Sequence, residues 1–431
     1  MRIADPAPSG YWSTEQLKIL VHSINFAPEL TGVGKYTGEM VEWLAARGHE
    51  VRVVTAPPYY PGWRVGSGYR AGRYVSENWR GVRVWRCPIW VPASPGGLKR
   101  LLHLASFATS SLPVMLGQAA WRADVVWVVE PPLFCGPASW MVARLSGAQA
   151  WLHVQDFEVD AAFELGLLRG GWGRRAAGAW EHWLMRRFDR VSTISHRMYE
   201  RAQAKGVDGD RLCLFPNWAN EAVVASPEGS EALRDELGIA HDATVALYSG
   251  AMGRKQGLEL MAEAAFLLRG EPDLVFVFCG NGAGREQLMA KCEALAGVHF
   301  LDLQSPDRLG ALLGMADIHL LPQRADAADL VMPSKLTGML ASGRPVVATC
   351  AEGTEIARVV RNHGLITAPG DSKAFAEGIR MLMHDTGLRA HLGASARSYA
   401  LEHLSRDAIL KEFETMLEGA IHPGTSSPSS D

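Results

Sequence analysis

The sequence has no Cys-x-x-Cys pair, no His-Glu-x-x-His and no cysteine–histidine cluster at metal-ligand spacing, so no metal is expected. Its six cysteines stand singly, several inside apolar runs, which fits buried thiols in a reducing compartment and excludes a disulfide framework. Net charge is also scarce: a formal −3 gives no global attraction to polyanions, and nucleic acid is not an expected partner. The opening stretch MRIADPAPSGYWSTEQ lacks the apolar core and small-residue cleavage site of a signal peptide, so a cytoplasmic location is the expectation. The longest stretch without Asp, Glu, Lys or Arg runs from Leu101 to Trp121. His103, three serines, Thr109, Pro113 and Gln118 make it a poor membrane span. Two readings stay open for it, a packed helix or a helix lying in the membrane interface.

What is present is a chain of 431 residues, 48% hydrophobic and 21% charged, long enough for two globular domains with a ligand-binding cleft expected between them. Between Leu17 and Ser195, short apolar runs (KILVHSI, VRVVTA, DVVWVVE, AQAWLHV, DRVSTIS) alternate with segments of helical period. Lys35 to Arg47, with Tyr36, Met40, Trp43 and Leu44 on one face and Gly48 as the stop, is one such helix. A second alternating series (TVALYSG, LVFVFCG, VHFLDL, DIHLLP, PVVAT) follows a polar, acidic stretch from Asn220. The pattern predicts two doubly wound α/β domains with parallel sheets. They would span residues 17–218 and 243–402, joined by a linker over 219–242 and followed by a terminal helix over 403–421. Residues 1–16 read as a flexible start and 422–431 as a disordered tail.

In parallel sheets, ligands gather at the carboxyl ends of the strands, so the loops just after the apolar runs are the candidates. The first carries Gly32 and Gly34 ahead of a helix, suited to bringing backbone amides to an anion; a tight strand-to-helix turn is the alternative. It is not a P-loop, since Glu29 and Tyr36 stand at the first glycine and at the Ser/Thr position. The strand AQAWLHV closes on His153, Gln155 and Asp156, with His153 and Gln155 on one face. His153 reads equally as a catalytic or substrate-binding group and as a satisfied interior residue. In the second half, SGAMGRKQG brings Arg254 and Lys255 to a strand mouth, and MPSKL brings Ser334 and Lys335. Two cations converging there would suit a diphosphate. Such charge-assisted bonds contribute about 1.5–3 kcal/mol each, against ~0.3–1 for a helix N-terminus. CGNGAGRE from Cys279 places Arg285 where a dinucleotide fingerprint has its last glycine, which makes a nicotinamide enzyme the weaker reading. Asp208-Gly-Asp210 lies in a turn-rich context and reads as a turn rather than a metal site.

One local charge feature stands apart. From Arg64 to Arg100 there are eight basic residues and a single acid, Glu77, interleaved with Trp63, Tyr69, Tyr74, Trp79, Trp85 and Trp90. Cations mixed with tryptophan and tyrosine suit a membrane surface or an anionic, sugar-bearing acceptor. Peripheral membrane contact through residues 59–121 is therefore the expectation. An exposed loop and hairpin region with aromatics packed on the first domain is the alternative.

Taken together, FAPELTGVGKYTGEM, VVTAPPYYPGW, HVQDFEVDAAF, FPNWAN, SGAMGRKQGLEL and MPSKLTGMLASGRPVVA resemble bacterial glycosyltransferases of family four, in particular those of colanic acid biosynthesis. The resemblance spans roughly Lys18 to Ala420. It implies a GT-B fold, two Rossmann-like domains facing each other across a cleft. It also implies transfer with retention of anomeric configuration, and no cofactor beyond a GDP- or UDP-linked sugar as donor substrate. The acceptor it implies is a lipid-linked saccharide of exopolysaccharide synthesis at the inner membrane. Carried onto this sequence, Gly34 would face the donor phosphates, Arg254 and Lys335 would hold the diphosphate, and Gly280 with Asn281 would frame the site. The family commonly has two glutamates seven residues apart where this chain has Leu330 and Gly338, and Asp329 or Asp326 is the candidate replacement for the first. The histidine usual just before the Asp156 position is Gln155 here. A non-catalytic nucleotide- or polysaccharide-binding protein of the same fold, or a nucleotide-sugar epimerase, are the rival readings.

Overall fold

A computed structural model of the protein describes residues 16–93, 97–160, 171–219, 227–253, 256–282, 284–324 and 334–422. The chain divides into two compact units. One is Met1–Ser192 with Lys205–Cys213 and Glu412–Asp431; the other is Thr193–Ala204 with Leu214–Lys411. Each unit is built on its own sheet, as the two alternating series of apolar runs predict.

The first sheet contains β1 (Lys18–His22), β2 (Glu50–Thr55), β3 (Val75–Trp79), β4 (Val82–Arg86), β5 (Val125–Glu130), β6 (Gln149–Val154), β7 (Arg190–Thr193) and β8 (Leu212–Leu214), in the order β3-β4-β2-β1-β5-β6-β7-β8. Neighbours from β4 to β6 run parallel, and β3 is an antiparallel edge paired to β4. Strand β5, VVWVVE, is buried along its whole length, as a central strand covered on both faces must be. Strand order reverses between β1 and β5, which opens a crevice at their carboxyl ends. The β3–β4 hairpin accounts for part of the basic, aromatic stretch: Arg83 and Trp85 of β4 pair through a cation–π contact at 5.2 Å.

The second sheet contains β9 (Thr244–Ser249), β10 (Leu274–Cys279), β11 (Val298–Leu301), β12 (Ile318–Leu321), β13 (Val346–Thr349) and β14 (Gly364–Thr367), ordered β11-β10-β9-β12-β13-β14 with every neighbouring pair parallel. Alternation along β9 sends Val245 and Leu247 into one hydrophobic layer and Ala246 and Tyr248 into the other, so helices cover both faces. Here the order reverses between β9 and β12.

The uncharged stretch becomes most of helix Gly97–Gln118, which buries His103, Leu104, Phe107, Ser111, Met115 and Gln118 on one face. The opposite side leaves Leu98, Leu102, Leu112 and Leu116 exposed. It packs as a helix and also presents an apolar stripe. Among the described residues no helix is long and apolar enough to cross a membrane. The chain closes with two helices, Thr386–His403 and Arg406–Ile421. Asp371 and Asp385 cap the helices that follow them, accepting from the amides of Ala374 and Leu388. The last helix completes the first unit: Phe413 sets its edge on Trp151 at 5.4 Å, and Glu414 accepts from Arg47 at 2.9 Å and pairs with His49 at 3.0 Å.

Candidate active site

The carboxyl ends of β9 and β10 leave their sheet through glycines with backbone that side chains resist: Gly250 at φ +137°, Gly280 at +145° and Gly282 at +151°. The two loops then run side by side as a backbone ladder. Gly250 N donates to Cys279 O at 3.0 Å, Met252 N to Asn281 O at 2.9 Å, and Gly284 N to Met252 O at 2.9 Å. A Cβ at position 280 would stand 1.9 Å from Gly250 O, and one at 282 would stand 2.5 Å from Met252 O. Gly280 and Asn281 thus belong to a rigid rim at the strand ends.

Lys335 enters this rim from the first turn of helix Ser334–Ala341. Its ammonium lies 4.6 Å from the centre of the Tyr248 ring, and its Cδ passes 3.5 Å from where a Cβ on Gly250 would be. Tyr248 is fixed in turn by donating to Ala251 O at 2.6 Å. Burial lowers the Lys335 pKa to about 8, and among the described residues no carboxylate pairs with it. A half-buried cation resting on an aromatic face at the reversal of strand order has the chemistry to hold an anion. At the end of β13, Thr349 pins the exit of β12, its hydroxyl accepting from Gln323 N at 2.7 Å and donating to Gln323 O at 2.9 Å. Ser334 opens the helix that carries Lys335. Arg254, Lys255, Asp326 and Asp329 lie outside the described residues.

In the first unit, Gly32 (φ +61°) begins helix Gly32–Ala46; Thr31 makes no side-chain cap and the first turn holds no acid. An incoming anion could complete such a start. Gly34 is buried there for a packing reason, because a Cβ would sit 2.4 Å from Glu29 Oε2. Glu29 is a hub that the sequence reading passes over, treating it only as a missing glycine. It accepts from Tyr59 N and Tyr60 N, both at 2.9 Å, and from Asn25 Nδ2 at 2.9 Å. It therefore ties the loop after β1 to the loop after β2. Burial raises its pKa, while the Tyr60 and Tyr59 amides and Asn25 pull it back.

His153 is buried, with Nδ1 at 2.9 Å from Ser192 Oγ, Nε2 at 2.9 Å from Gln155 Nε2, and its ring stacked on Trp127 at 5.0 Å. Burial drives its pKa down to about 3, so it stays neutral. This is the environment of a satisfied interior histidine, one of the two readings the sequence leaves open for it. Gln155 shares its face as alternation requires, and Asp156 is exposed just past the strand. Asp208 begins the turn Gly209–Arg211.

Sequence reasoning also missed a group of buried acids at the end of β5. Glu130 is fully buried; its Oε1 accepts from Glu158 N at 3.1 Å, and its Oε2 has no partner among the described residues. Glu158 accepts from Leu133 N at 2.6 Å. Burial holds the Glu130 pKa well above the usual carboxylate range, helped by Glu181 and Glu158. Lys205 neutralises the neighbouring Glu181 and Asp160. These residues are scattered through the sequence, and only the fold gathers them.

Comparison with known proteins bears on the family and the fold. Residues 31–218 match the Glycosyl transferase 4-like domain, and residues 229–399 match Glycosyl transferases group 1. The chain is 45% identical, over 94% of its own length and 100% of the relative's, to the protein of Escherichia coli K12 named colanic acid biosynthesis glycosyl transferase WcaI. It is 23% identical, over 92% of its length and 96% of the other's, to a glycosyltransferase of Methanocaldococcus jannaschii. Among solved structures, the sucrose-phosphate synthase of Thermosynechococcus elongatus superposes with a TM-score of 0.71 at 16% identity, covering 93% of this chain and 98% of that one. Anabaena HepE in complex with UDP and glucose gives 0.66 at 16% identity over 94% and 100%. WaaG, involved in lipopolysaccharide biosynthesis, gives 0.63 at 17% identity over 93% and 100%. These likenesses establish the GT-B fold.

Proposed function

Since the chain belongs to the family-four glycosyltransferases, we propose that it moves a sugar from a nucleotide-sugar to a lipid-linked saccharide in exopolysaccharide synthesis, retaining the anomeric configuration and using no metal. The observation that carries this reading is Lys335: a half-buried ammonium on the Tyr248 ring, unpaired by any described carboxylate, at the crevice of the second sheet. As the bond from the anomeric carbon to the diphosphate breaks, negative charge grows on the leaving oxygen. A cation already in place there stabilises it without reorganisation. Arg254, from the loop after β9, supplies the second cation in this reading, and the rim of Gly250, Gly280 and Asn281 leaves room for the diphosphate to approach backbone.

The acceptor side in this reading is the carboxyl end of the first sheet, where Gly32 follows β1, Asp156 follows β6 and the buried Glu130 closes β5. Residues 59–121 make the peripheral membrane contact, at the inner face of the membrane. Exposed Leu98, Leu102, Leu112 and Leu116 with Lys99 and Arg100 have the composition of an interfacial helix.

Thermal unfolding with GDP, UDP, ADP or no nucleotide tests the donor site. A nucleotide at 100 times its Kd adds about 2.7 kcal/mol, which moves the midpoint by several degrees. Selective stabilisation by one nucleotide, followed by transfer from its sugar conjugate to a lipid-linked acceptor, is the expected result. Stabilisation without transfer across donors and acceptors would move the protein to the non-catalytic reading, which the absence of glutamate at 330 and 338 favours.

A further inference from the structure

Tyr248 touches the rim of the second sheet twice, with its ring and with its hydroxyl. It lies just before the end of β9, a strand buried along its whole length, and is itself fully buried. Alternation places it in the hydrophobic layer that holds Met252, Leu258, Phe276 and Phe278, and Phe278 is its partner across the β9–β10 pairing. Packing in that layer is served by phenylalanine at positions 276 and 278. A tyrosine adds a hydroxyl that needs a hydrogen-bond partner once buried.

The hydroxyl finds that partner in the loop the strand runs into. It donates to Ala251 O at 2.6 Å, and burial pushes its pKa up, so it remains a donor. Gly250 N and Met252 N, on either side of Ala251, donate to Cys279 O and Asn281 O. The backbone over 250–252 is thus fixed from two directions, by the loop after β10 and by the Tyr248 side chain. In sequence, this is the segment that leads to Arg254.

The ring faces the other cation of the donor reading. The Lys335 stem passes 3.5 Å from where a Cβ on Gly250 would stand, and its ammonium ends 4.6 Å from the centre of the Tyr248 ring. Lysine and loop come from different strand exits, β12 and β9, and one side chain spans both contacts. Because the ring is packed in the core and its hydroxyl is tied to the loop, the surface under the ammonium is rigid.

We propose that Tyr248 is a positioning residue of the donor site: its ring seats the Lys335 ammonium and its hydroxyl sets the loop after β9, so that cation and backbone rim meet a nucleoside diphosphate at one fixed spacing. This rests on the reading of Lys335 as the donor cation and specifies what holds it in place.

Two measurements on the full chain test it, with Tyr248→Phe, Tyr248→Leu and Lys335→Met as variants. The first is a carbon NMR titration of protein isotopically labelled at lysine Cε, in which the Lys335 resonance is the one missing from Lys335→Met. In the unaltered protein this resonance is expected to be displaced by the ring current of Tyr248 and to titrate at about 8. Tyr248→Phe should keep both properties. Tyr248→Leu should lose the displacement and titrate roughly 0.5–1.5 units lower, because a desolvated ammonium has lost its aromatic face. The second measurement is titration calorimetry with GDP and UDP. Tyr248→Phe should weaken the nucleotide that binds by about three- to tenfold, the loss of one hydrogen bond, and Tyr248→Leu by more.

A residue that only packs would lower the thermal midpoint in both variants while the Lys335 resonance and the nucleotide affinity stay as they are, and that result overturns the proposal. If Tyr248→Leu does not accumulate, the other two proteins decide. An undisplaced Lys335 resonance in the unaltered protein overturns the role of the ring, and unchanged nucleotide affinity in Tyr248→Phe overturns that of the hydroxyl. Failure of the underlying reading looks different: Lys335→Met binding GDP and UDP as the unaltered protein does, or no binding of either nucleotide by the unaltered protein, overturns Lys335 as the donor cation whatever the Tyr248 variants do.

Discussion

The Lys335 ammonium rests 4.6 Å from the centre of the Tyr248 ring, joining the helix after β12 to the end of strand β9 across the point where strand order reverses. An isolated lysine in this place is disfavoured by burial, which is why its pKa falls to about 8. The aromatic face returns part of the lost solvation, on the order of 0.5–2 kcal/mol. The cation is therefore held where it costs stability, and a bound diphosphate would remove that cost.

The titration of Lys335 should be visible in catalysis. With its pKa near 8, the free enzyme loses this charge as pH rises through that value, so kcat/KM for the donor should fall with a single-proton limb above about pH 8. Lys335→Arg keeps a charge at every pH and should abolish the limb while lowering the plateau. A limb that persists unchanged in Lys335→Arg would assign it to another group.

Removing the charge should separate activity from stability. Lys335→Met is expected to slow transfer by about 10²–10³, the cost of losing one preorganised charge stabiliser. The sign for stability is opposite. A lysine whose folded pKa is depressed releases its proton more readily when folded, so its burden is largest below pH 8 and relieved as pH rises. Lys335→Met should therefore melt higher than the unaltered protein at pH 7, by on the order of 1 kcal/mol after allowing for partial exposure. A lower midpoint would mean that the lysine stabilises the fold. The double measurement is a melting curve and a progress curve on one preparation.

Much of this was legible in the residues, because the ten apolar runs are strands and parallel sheets announce themselves by buried β-branched stretches such as VVWVVE. The place of Lys335 in the first turn of a helix was legible too, from the helical pattern that follows MPSKL. The basic stretch was read with a hairpin only as the alternative, without strand bounds for β3 and β4, and the short β8 and β14 were not read as strands. Their patterns, VSENW and LCL among them, are too polar or too short to register against loop. His153 has the composition of a site, and only coordinates show both of its nitrogens engaged with Ser192 and Gln155. Glu29 and Glu130 escaped for the opposite reason. A single acid in a loop or at a strand end carries no periodic signal, and its partners come from other segments.

The backbone ladder beyond β9 and β10 should tolerate no side chain. Gly280→Ala combines a φ of +145° with a Cβ 1.9 Å from Gly250 O, so the second unit should lose at least ~2–3 kcal/mol, or the protein should fail to accumulate. Gly270→Ala, where a Cβ meets nothing within 4 Å, is the control and should stay within about 1 kcal/mol. Differential scanning calorimetry of the two variants decides it. Equal behaviour would refute the close approach of the two loops.

Glu29 and Gly34 offer a test of why the first glycine-rich loop has its sequence. If Gly34 is glycine only to admit a phosphate, Gly34→Ala should reduce donor affinity and leave stability alone. If it is glycine because the Glu29 carboxylate presses on it at 2.4 Å from any Cβ, Gly34→Ala should destabilise the first unit. Glu29→Ala alone should also destabilise, by about 1–3 kcal/mol, because the amides of Tyr59 and Tyr60 lose their acceptor. The double variant discriminates. With the carboxylate gone the methyl group introduced by Gly34→Ala has room, so Glu29→Ala/Gly34→Ala should be more stable than the sum of the single losses, by a coupling of at least ~1 kcal/mol. Additive losses would show that the two residues do not meet, and would return Gly34 to the role of a ligand-facing glycine.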